Sequence, residues 1–192
     1  GAGDDYIYGY VDANPQGVSD GADSLYGGAG DDTLAGGAGD DVLDGGTGRD
    51  VLSGEGGASS EMEDASYNNG GSNGSDTFVT RAGDGSTDLA QADVIMDFED
   101  GTDQIGLDGI SFNDLTITQG TGDYANDTIV SYGAEYLFII NNVAATNITY
   151  LDVVSTATDP VTITGTSSDE VSLGGSGDDT ISSGTGTDVL VG

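Results

Sequence analysis

The 192-residue chain has no cysteine, histidine or tryptophan, and its only basic residues are Arg49 and Arg81. The side chains that most often carry protons or form covalent intermediates in enzymes, namely histidine, cysteine and lysine, are therefore missing. An enzyme built from this chain would need a pair of carboxylates, as glycosidases use. The acidic residues, however, stand mostly at a repeat spacing. We therefore expect a noncatalytic protein.

Positive charge and long apolar runs are scarce as well. The chain carries 35 acidic residues and a formal charge of −33, whereas nucleic-acid binding requires a basic surface. Its longest apolar run is Tyr136–Ile140, far short of the roughly 20 residues that span a bilayer. We expect neither a nucleic-acid partner nor a membrane span. The first and last residues are already parts of repeats, so we expect a fragment of a longer protein without a signal peptide.

Glycine is abundant, and it recurs with a period of nine. Residues 27–53 read GGAGDDTLA, GGAGDDVLD and GGTGRDVLS, which fit the template G-G-x-G-x-D-x-U-x with U a large aliphatic residue. Glycine tolerates positive φ and leaves the backbone bare, so a six-residue turn can direct carbonyl oxygens at one point. The turn glycines are Gly27, Gly28, Gly30, Gly36, Gly37, Gly39, Gly45, Gly46 and Gly48; the closing carboxylates are Asp32, Asp41 and Asp50.

These turns predict binding of several calcium ions. Carbonyl and carboxylate oxygens are the ligands of a hard cation, and a flexible loop favours calcium over magnesium. In residues 1–57 only Ile7, Leu25, Leu34, Leu43 and Leu52 are clear inward aliphatics, too few for a self-sufficient core, so we expect folding to depend on the metal. A flexible acidic linker would not place an aliphatic residue at every ninth position. An alternative interpretation of residues 12–23 is an EF-hand calcium loop, but no helical pattern flanks these residues and the usual terminal glutamate is absent.

The nonamer register extends back to the first residue. Units 18–26 and 1–8 supply Asp23 and Asp5, while the unit 9–17 has Asn14 in place of aspartate and Gln16 in place of the aliphatic residue. In a two-sided roll, turns 18 residues apart lie on the same edge. This spacing predicts cation sites at the pairs Asp5–Asp23, Asp23–Asp41 and Asp32–Asp50, and a weakened site at Asn14–Asp32.

Beyond residue 57 we divide the chain into four further segments. Residues 58–70 read as an acidic loop, and 71–109 as degenerate roll coils that contribute Asp76 and Asp103. Within residues 71–109, Asp84, Asp97 and Asp100 are weaker candidates for cation ligands. The D-x-U pattern of the nonamer recurs at Asp93/Ile95 in this segment and at Asp127/Ile129 in the next one. The last segment, 161–192, returns to nonamers as a second calcium-binding roll. Its candidate ligands are Gly175, Gly177, Asp179, Gly186 and Asp188, with Ile181 and Leu190 inside and Glu170 at a doubtful sixth position.

The intervening segment 110–160 has the β-branched and aromatic composition of strands. We expect strands at 115–118, 128–132, 136–140 and 148–154, with a hairpin turn at 132–135. Ile129, Tyr132, Leu137, Phe138 and Ile140 then form the largest core; the alternative is a sugar-binding aromatic platform. The predicted fold class is all-β, with parallel β-roll segments on either side of this irregular strand-rich middle.

The chain resembles the RTX (repeats-in-toxin) family of hemolysin-type calcium-binding repeat proteins. The resemblance rests on the nonamer GGAGDDTLA, on its two neighbours and on GGSGDDTIS near the end of the chain. A further similarity, to the segment that follows the repeats in RTX proteases and epimerases, is found in GSDTFV…ADVIMDFEDGTDQIGL. The resemblance implies a module of a larger secreted bacterial protein, exported unfolded by type I secretion machinery and folded by extracellular calcium. Its implied ligands are the repeat aspartates with the glycine carbonyls of their turns. The alternative function is polysaccharide or surface binding through residues 110–157.

Overall fold

A computed structural model describes residues 1–9, 21–55, 74–157, 162–164, 168–175, 178–182 and 184–191. Three of the sequence-based predictions, at Asn14, at the 58–70 loop and at Gly177, lie outside these residues. The described chain contains β-strands and short 3-10 turns but no α-helix. The strands are β1 Tyr6–Tyr8, β2 Ser24–Ala29, β3 Thr33–Ala35, β4 Val42–Thr47, β5 Val51–Ser53, β6 Thr77–Arg81, β7 Asp93–Ile95, β8 Gln104–Asp108, β9 Leu115–Gln119, β10 Thr128–Tyr132, β11 Glu135–Ile140, β12 Val153–Ser155, β13 Thr162–Thr164, β14 Val171–Leu173, β15 Thr180–Ser182 and β16 Val189–Val191.

The repeats wind into a parallel β-roll with two facing sheets. The first sheet has the order β12-β8-β6-β4-β2 and the second has the order β1-β3-β5-β7-β11-β10-β9. Alternation along a strand sends one large apolar side chain of each coil inward. Leu25, Leu43, Phe78 and Ile105 of the first sheet meet Leu34, Leu52, Ile95 and Ile140 of the second in one buried cluster. The eighth position of the nonamer is thus the core position, as predicted.

The stack continues across insertions of different length. Consecutive template coils are 18 residues apart, as in the step from Asp32 to Asp50. The steps from Asp41 to Asp76 and from Asp50 to Asp93 span 35 and 43 residues, yet the same hydrogen bond from a backbone amide to an aspartate carboxylate is made. The strand register is unchanged after each insertion, since Leu43 pairs with Phe78 and Leu52 pairs with Ile95. Degenerate coils at 74–108 therefore belong to the same two sheets as the template coils.

The predicted pairing of Asp5 with Asp23 is wrong. Strand β1 pairs with β3, so that Ile7 lies beside Leu34, and Asp5 meets Asp32 at an offset of 27 residues. This offset is one nonamer longer than the template step. The physical reason is that the unit 9–17 offers Gln16 where an inward aliphatic is needed, whereas Ile7 continues the apolar column of Leu34 and Leu52.

The strand-rich middle extends the second sheet. Strands β9, β10 and β11 form an antiparallel meander, and β11 pairs in parallel with β7. The predicted hairpin at 132–135 is confirmed, with Gly133 at φ 59° in its turn. Leu137, Phe138 and Ile140 are fully buried, and Tyr132 packs against the same cluster. These side chains therefore belong to the hydrophobic core. Ile129 is also buried, but in a smaller cluster with Ala92 and Ile139.

Two sequence-based interpretations of this region need correction. Residues 148–154 form a strand only from Val153 onward, because Thr149 and Asp152 cap a 3-10 turn at Tyr150–Asp152 through reciprocal hydrogen bonds. The Asp127/Ile129 pair is not a roll coil, since it lies in the antiparallel meander. The Asp127 carboxylate instead accepts a hydrogen bond from the Asn142 amide at 3.0 Å.

The C-terminal repeats form two further parallel pairs, β13 with β15 and β14 with β16. Asn113 joins them to the middle region: its side-chain amide donates to the Val171 carbonyl at 2.6 Å and its oxygen accepts from the Val171 amide. The expectation that Leu190 lies inside is wrong, since its side chain is 49% exposed. Leu190 pairs with Ser172 on the neighbouring strand, and the small serine side chain offers little apolar surface for packing. Nowhere in the described chain is there a helix long and apolar enough to cross a membrane.

Candidate metal centre

Sixth-position aspartates line each edge of the roll as a continuous column. We call the column of Asp23, Asp41, Asp76 and Asp103 the first acid ladder, and that of Asp5, Asp32, Asp50 and Asp93 the second acid ladder. Within each ladder the backbone amide of one aspartate donates to Oδ1 of the next, over 2.7–3.0 Å. The six bonds join Asp23 to Asp41, Asp41 to Asp76 and Asp76 to Asp103, and Asp5 to Asp32, Asp32 to Asp50 and Asp50 to Asp93.

In Asp32, Asp41, Asp50 and Asp76 the second carboxylate oxygen points back at the first glycine of its own turn. Asp32, Asp50 and Asp76 are at most 1% exposed, and in the described chain their Oδ2 atoms are buried without a hydrogen-bond partner. A β-carbon on Gly27, Gly45 or Gly54 would collide with the respective Oδ2 atom. A buried, unsatisfied carboxylate oxygen carries a large desolvation cost, which a bound cation would remove.

Carbonyl oxygens of the following turn converge on the same points. A β-carbon on Gly27 would meet both Asp32 Oδ2 and, at 2.6 Å, the Gly45 carbonyl oxygen. The same pairing brings Asp41 Oδ2 to the Gly54 carbonyl beside Gly36, and Asp23 Oδ2 to the Gly36 carbonyl beside Gly9. Each point therefore combines a carboxylate of one turn with a glycine carbonyl of the next turn along the stack.

The glycines of a turn serve two distinct purposes. The first glycine has ordinary φ and is needed because a side chain would occupy the space between the two oxygens. The second and fourth have positive φ, as in Gly46 at 94° and Gly48 at 133°, a conformation that other residues adopt only with strain. These two also lie directly on the carbonyls of Gly28 and Gly30 in the turn below, so a β-carbon would push the coils apart.

Stacked carboxylates make the ladders electrostatically costly in the absence of a cation. Burial raises the pKa of Asp50 to about 6, of Asp76 to about 7 and of Asp93 to about 8, and it also raises the pKa of Asp103. Repulsion from nearby acids, which for Asp50, Asp76 and Asp93 include members of the same ladder, acts in the same direction. Both causes penalise the ionised form, which is the form that binds metal.

The oxygens present fit a hard divalent cation. They are carboxylate and carbonyl oxygens on flexible glycine turns, the ligand type of calcium, and the buried Oδ2 atoms of Asp32, Asp50 and Asp76 lack any other partner. The described residues contain no preassembled group of three or more acidic side chains for a metal. A ligand set at these points would include the glycine carbonyls that converge there, as the sequence-based prediction assumed.

The structure brings together the predicted pairs Asp23–Asp41 and Asp32–Asp50, and it adds Asp5–Asp32, Asp41–Asp76, Asp76–Asp103 and Asp50–Asp93. In the C-terminal roll, Asp179 Oδ2 lies beside Gly174, and the Glu170 amide donates to Asp188 Oδ1 at 3.2 Å. Gly175 and Gly186 have positive φ and pack on the carbonyls of Ala157 and Ser168. Of the weaker candidates, Asp84 pairs with Arg81, Asp97 accepts backbone hydrogen bonds and Asp100 is exposed.

A second set of acids was not identified from the sequence. Fifth-position side chains accept from the amide of the matching residue in the next turn: Asp4 from Asp31, Asp31 from Arg49, Asp40 from Ser75 and Asp169 from Thr187. The available signal was the aspartate that precedes the ladder aspartate in GAGDD. These side chains are exposed, and they tie adjacent turns on the outer surface.

The fold and these ladders define the class of the protein, a parallel β-roll of nonapeptide repeats whose turns suit calcium. The family profile described as RTX calcium-binding nonapeptide repeat matches in four copies, at residues 1–14, 18–52, 36–58 and 164–192. Over these residues the sequence consists of RTX calcium-binding nonapeptide repeats. A comparison with curated proteins found no match.

The chain is similar to several solved structures. The AlgE6R3 subunit of the Azotobacter vinelandii mannuronan C5-epimerase is similar at 25% identity and a TM-score of 0.52, over 80% of this chain and 78% of that one. The AlgE6R2 subunit of the same epimerase is similar at 23% identity and a TM-score of 0.49, over 81% of this chain and 89% of that one. The extracellular lipase LipA of Serratia marcescens is 20% identical with a TM-score of 0.48, over 80% of this chain but only 20% of the lipase.

Proposed function

We propose that this chain is a noncatalytic folding module of a larger secreted bacterial protein, and that calcium outside the cell drives its folding. The observation that carries the proposal is the convergence of Asp23, Asp32 and Asp41 Oδ2 on the carbonyls of Gly36, Gly45 and Gly54. Calcium bound there would supply the positive charge that the ladders lack and would join each turn to the next.

The residues of the chain provide the coupling between binding and folding. The aspartate and the carbonyl that converge at one point belong to different coils, so binding is possible only when the coils are stacked. The chain carries a formal charge of −33, and like charge of this size opposes compaction. Binding free energy released only in the stacked state is folding free energy. We expect the repeats to be unfolded at low calcium and folded at the calcium level of about 10⁻⁴–10⁻³ M that suits extracellular modules.

The coupling of folding to calcium binding suits a protein that is secreted. RTX repeat proteins are typically secreted, and one structural neighbour is an extracellular lipase. A chain that stays unfolded inside the cell passes through type I secretion machinery and folds on reaching external calcium. Catalysis is not part of the proposal, because the chain has no histidine or cysteine and its two basic residues are both arginine. A glycan-binding role of residues 110–157 has no comparable support, since Phe138 and Leu137 are fully buried.

The test is a calcium titration of the whole chain, followed by far-UV circular dichroism and by calorimetry. We expect a transition from a disordered to a β-rich spectrum, together with heat from several bound ions. Magnesium at the same concentrations should produce a much smaller change, because it demands a rigid octahedral site. A β-rich spectrum that is the same in chelator and in calcium would refute metal-coupled folding.

A further inference from the structure

The second sheet of the roll ends in strand β9, Leu115–Gln119, and this strand has an open edge. Its only strand neighbour in the described chain is β10. The structure describes every residue from 74 to 157, so the chain on either side of β9 is covered without a gap. Unpaired backbone groups along a sheet edge are a template for another strand. The open edge of β9 is therefore a candidate interaction surface.

The register between β9 and β10 decides which backbone groups of β9 face this edge. The Gly120 amide donates to the Asp127 carbonyl at 2.9 Å, and hydrogen-bonded pairs alternate with non-bonded pairs along antiparallel strands. Thr116 and Thr118 are therefore hydrogen-bonded to their partners on β10. The alternate residues turn their N–H and C=O groups away from β10, toward the open edge: Leu115, Ile117 and Gln119.

One of these edge groups already has a partner. The Leu115 amide donates to the Phe112 carbonyl at the end of the preceding 3-10 turn. The amides of Ile117 and Gln119 make no hydrogen bond to the described chain. The edge therefore offers two free amides, together with the carbonyls of Leu115, Ile117 and Gln119.

Strand β9 lacks the features by which edge strands usually avoid pairing with another chain, namely charged side chains and proline. Its sequence LTITQ and that of β10, TIVSY, contain no charged residue, although the whole chain has 35 acidic residues. Thr116 and Thr118 are exposed on the outer face. On the inner face Leu115 and Ile117 pack against the core cluster but are only partly buried. A strand added at this edge would cover part of their remaining apolar surface.

The free backbone groups fit a second copy of the same strand in antiparallel orientation. A two-fold axis at Ile117 directs the Ile117 amide of each copy at the Ile117 carbonyl of the other. The same axis directs each Gln119 amide at the Leu115 carbonyl of the other copy. The Leu115 amide, which is already bonded within its own chain, is the one edge amide that this register does not use. Asp114, the acid directly before β9, falls opposite the uncharged Gly120.

We propose that two copies of the chain associate through β9, in a two-fold symmetric dimer whose second sheets join at this edge. The surface is separate from the acid ladders, since β9 carries no ladder aspartate. One five-residue strand from each copy buries less than the roughly 1,200 Å² at which stable complexes begin, so the dimer is weak. Two chains of formal charge −33 repel each other. The dimer therefore forms in calcium and at physiological salt, where bound ions and screening reduce the repulsion.

The test is sedimentation of the whole chain at saturating calcium over a range of protein concentrations. Thr116 of one copy lies opposite Thr118 of the other in the proposed register, and both side chains are exposed. The double variant Thr116→Glu/Thr118→Glu places like charges directly opposite each other, which destabilises strand pairing. We expect it to stay monomeric at concentrations where the unmodified chain dimerises.

The matched control reverses the sign of the added charges. Thr116→Lys/Thr118→Lys should also stay monomeric, although it lowers the net negative charge of the chain. An equimolar mixture of the glutamate and lysine variants should dimerise, because each cross-strand pair then joins opposite charges. A mixture that stays monomeric, or a lysine variant that dimerises as the unmodified chain does, would overturn the proposal.

A measurement on the unmodified chain identifies the strand without relying on a variant. In amide hydrogen exchange at saturating calcium, Ile117 and Gln119 should become protected as the protein concentration rises. Thr116 and Thr118, which bond to β10, should be protected at every concentration. Exchange at Ile117 and Gln119 that does not depend on concentration would overturn the proposal and leave calcium-coupled folding intact. A chain equally folded in chelator would refute the proposed function, while the same exchange data would still decide for or against the dimer.

Discussion

Arg81 holds the Asp44 carboxylate at two points. Its Nη1 atom donates to Asp44 Oδ1 at 3.3 Å, and its Nη2 atom donates to Oδ2 of the same carboxylate. The guanidinium also contacts Asp108 and Asp84, each at 3.2 Å. Because Asp44 lies on β4 and Asp108 on β8, one cation joins the strands on both sides of β6. A protein side chain here neutralises clustered acids, which is the role that we propose for calcium at the ladders.

Replacing Arg81 with glutamine should destabilise the calcium-saturated protein. Three carboxylates lose their common partner, and Asp44 and Asp84 are buried. Since the arginine side chain is 36% exposed, solvent screens part of the loss, and we expect the free energy of unfolding to fall by about 1–3 kcal/mol. The measurement is urea unfolding at saturating calcium. Arg49→Gln removes the same charge and should change the value by less than about 0.5 kcal/mol; equal losses in the two variants would contradict the role of Arg81.

The Asp32 carboxylate should matter for calcium far more than its neighbour Asp31. Asn at position 32 keeps an oxygen for the Asp5 amide but replaces the buried, unpartnered carboxylate oxygen with an uncharged amide nitrogen. We expect Asp32→Asn to lose one bound ion and to weaken calcium-induced folding at least about tenfold, which is about 1.4 kcal/mol. Asp31→Asn is the matched control, because Asp31 is exposed. Calorimetry should show its ion number unchanged. A larger effect at position 31 than at position 32 would reverse our assignment.

Gly45 should tolerate no side chain, for a steric reason. Its φ is ordinary, but a β-carbon would collide with Oδ2 of Asp50. We expect Gly45→Ala to weaken calcium affinity about tenfold or more by displacing that carboxylate. Gly133→Ala places a methyl group in open space at φ 59°, so it should cost about 1–2 kcal/mol of stability. Calcium titrations of the two variants separate these effects, and a normal affinity in Gly45→Ala would show that Oδ2 is not a ligand.

The metal-free protein should become more stable as the pH falls. The pKa values of Asp50, Asp76 and Asp93 are raised to about 6, 7 and 8 in the folded chain. A raised carboxylate pKa means that the folded state binds more protons, so its stabilisation is full below the ordinary pKa of about 3.9 and is lost as the pH rises through these values. Circular dichroism of metal-depleted protein should show β content increasing from about pH 8 to about pH 5. In calcium the trend reverses, since protons compete for the same carboxylates. Metal-free β content that is constant or rises with pH would contradict the buried ladders.

The pairing of Asp5 with Asp32 can be tested by cross-linking, because the chain has no native cysteine. Tyr6 and Thr33 are partners on adjacent strands, at a separation that a disulfide can span. The double variant Tyr6→Cys/Thr33→Cys should oxidise rapidly in calcium, whereas Tyr6→Cys/Ser24→Cys, the pair of the 18-residue register, should not. Preferential bonding of residues 6 and 24 would restore the original prediction.

Sequence reasoning was most reliable where the nonamer is intact. The period itself specifies that Leu34, Leu43 and Leu52 point inward and that Asp32, Asp41 and Asp50 close their turns, since spacing and residue type agree. It was less reliable across insertions. The partner of Asp5 depends on which apolar residue continues a column, and a fixed 18-residue rule does not contain that information. Asp127 fits the local D-x-U pattern, yet antiparallel pairing with β9 takes it out of the roll.

Glu55 shows a different limit. In the sequence it is one acidic residue just past the last intact turn, and nothing local distinguishes it from the acids that follow. Its backbone amide donates to Asp97 Oδ2 at 3.1 Å because β5 stacks on β7, so residues on either side of a long insertion meet. The same stacking places Arg81 among three carboxylates from separate segments. Contacts of this kind require the register of the whole sheet.

The most direct test of calcium as the link between coils is amide hydrogen exchange, measured in calcium and in chelator, at the ladder aspartates. The amides of Asp23, Asp32, Asp41 and Asp50 each donate to the next carboxylate in the stack. We predict slow exchange at all four in calcium and exchange near the rate of an unfolded chain in chelator. Equal protection in the two conditions would contradict the account.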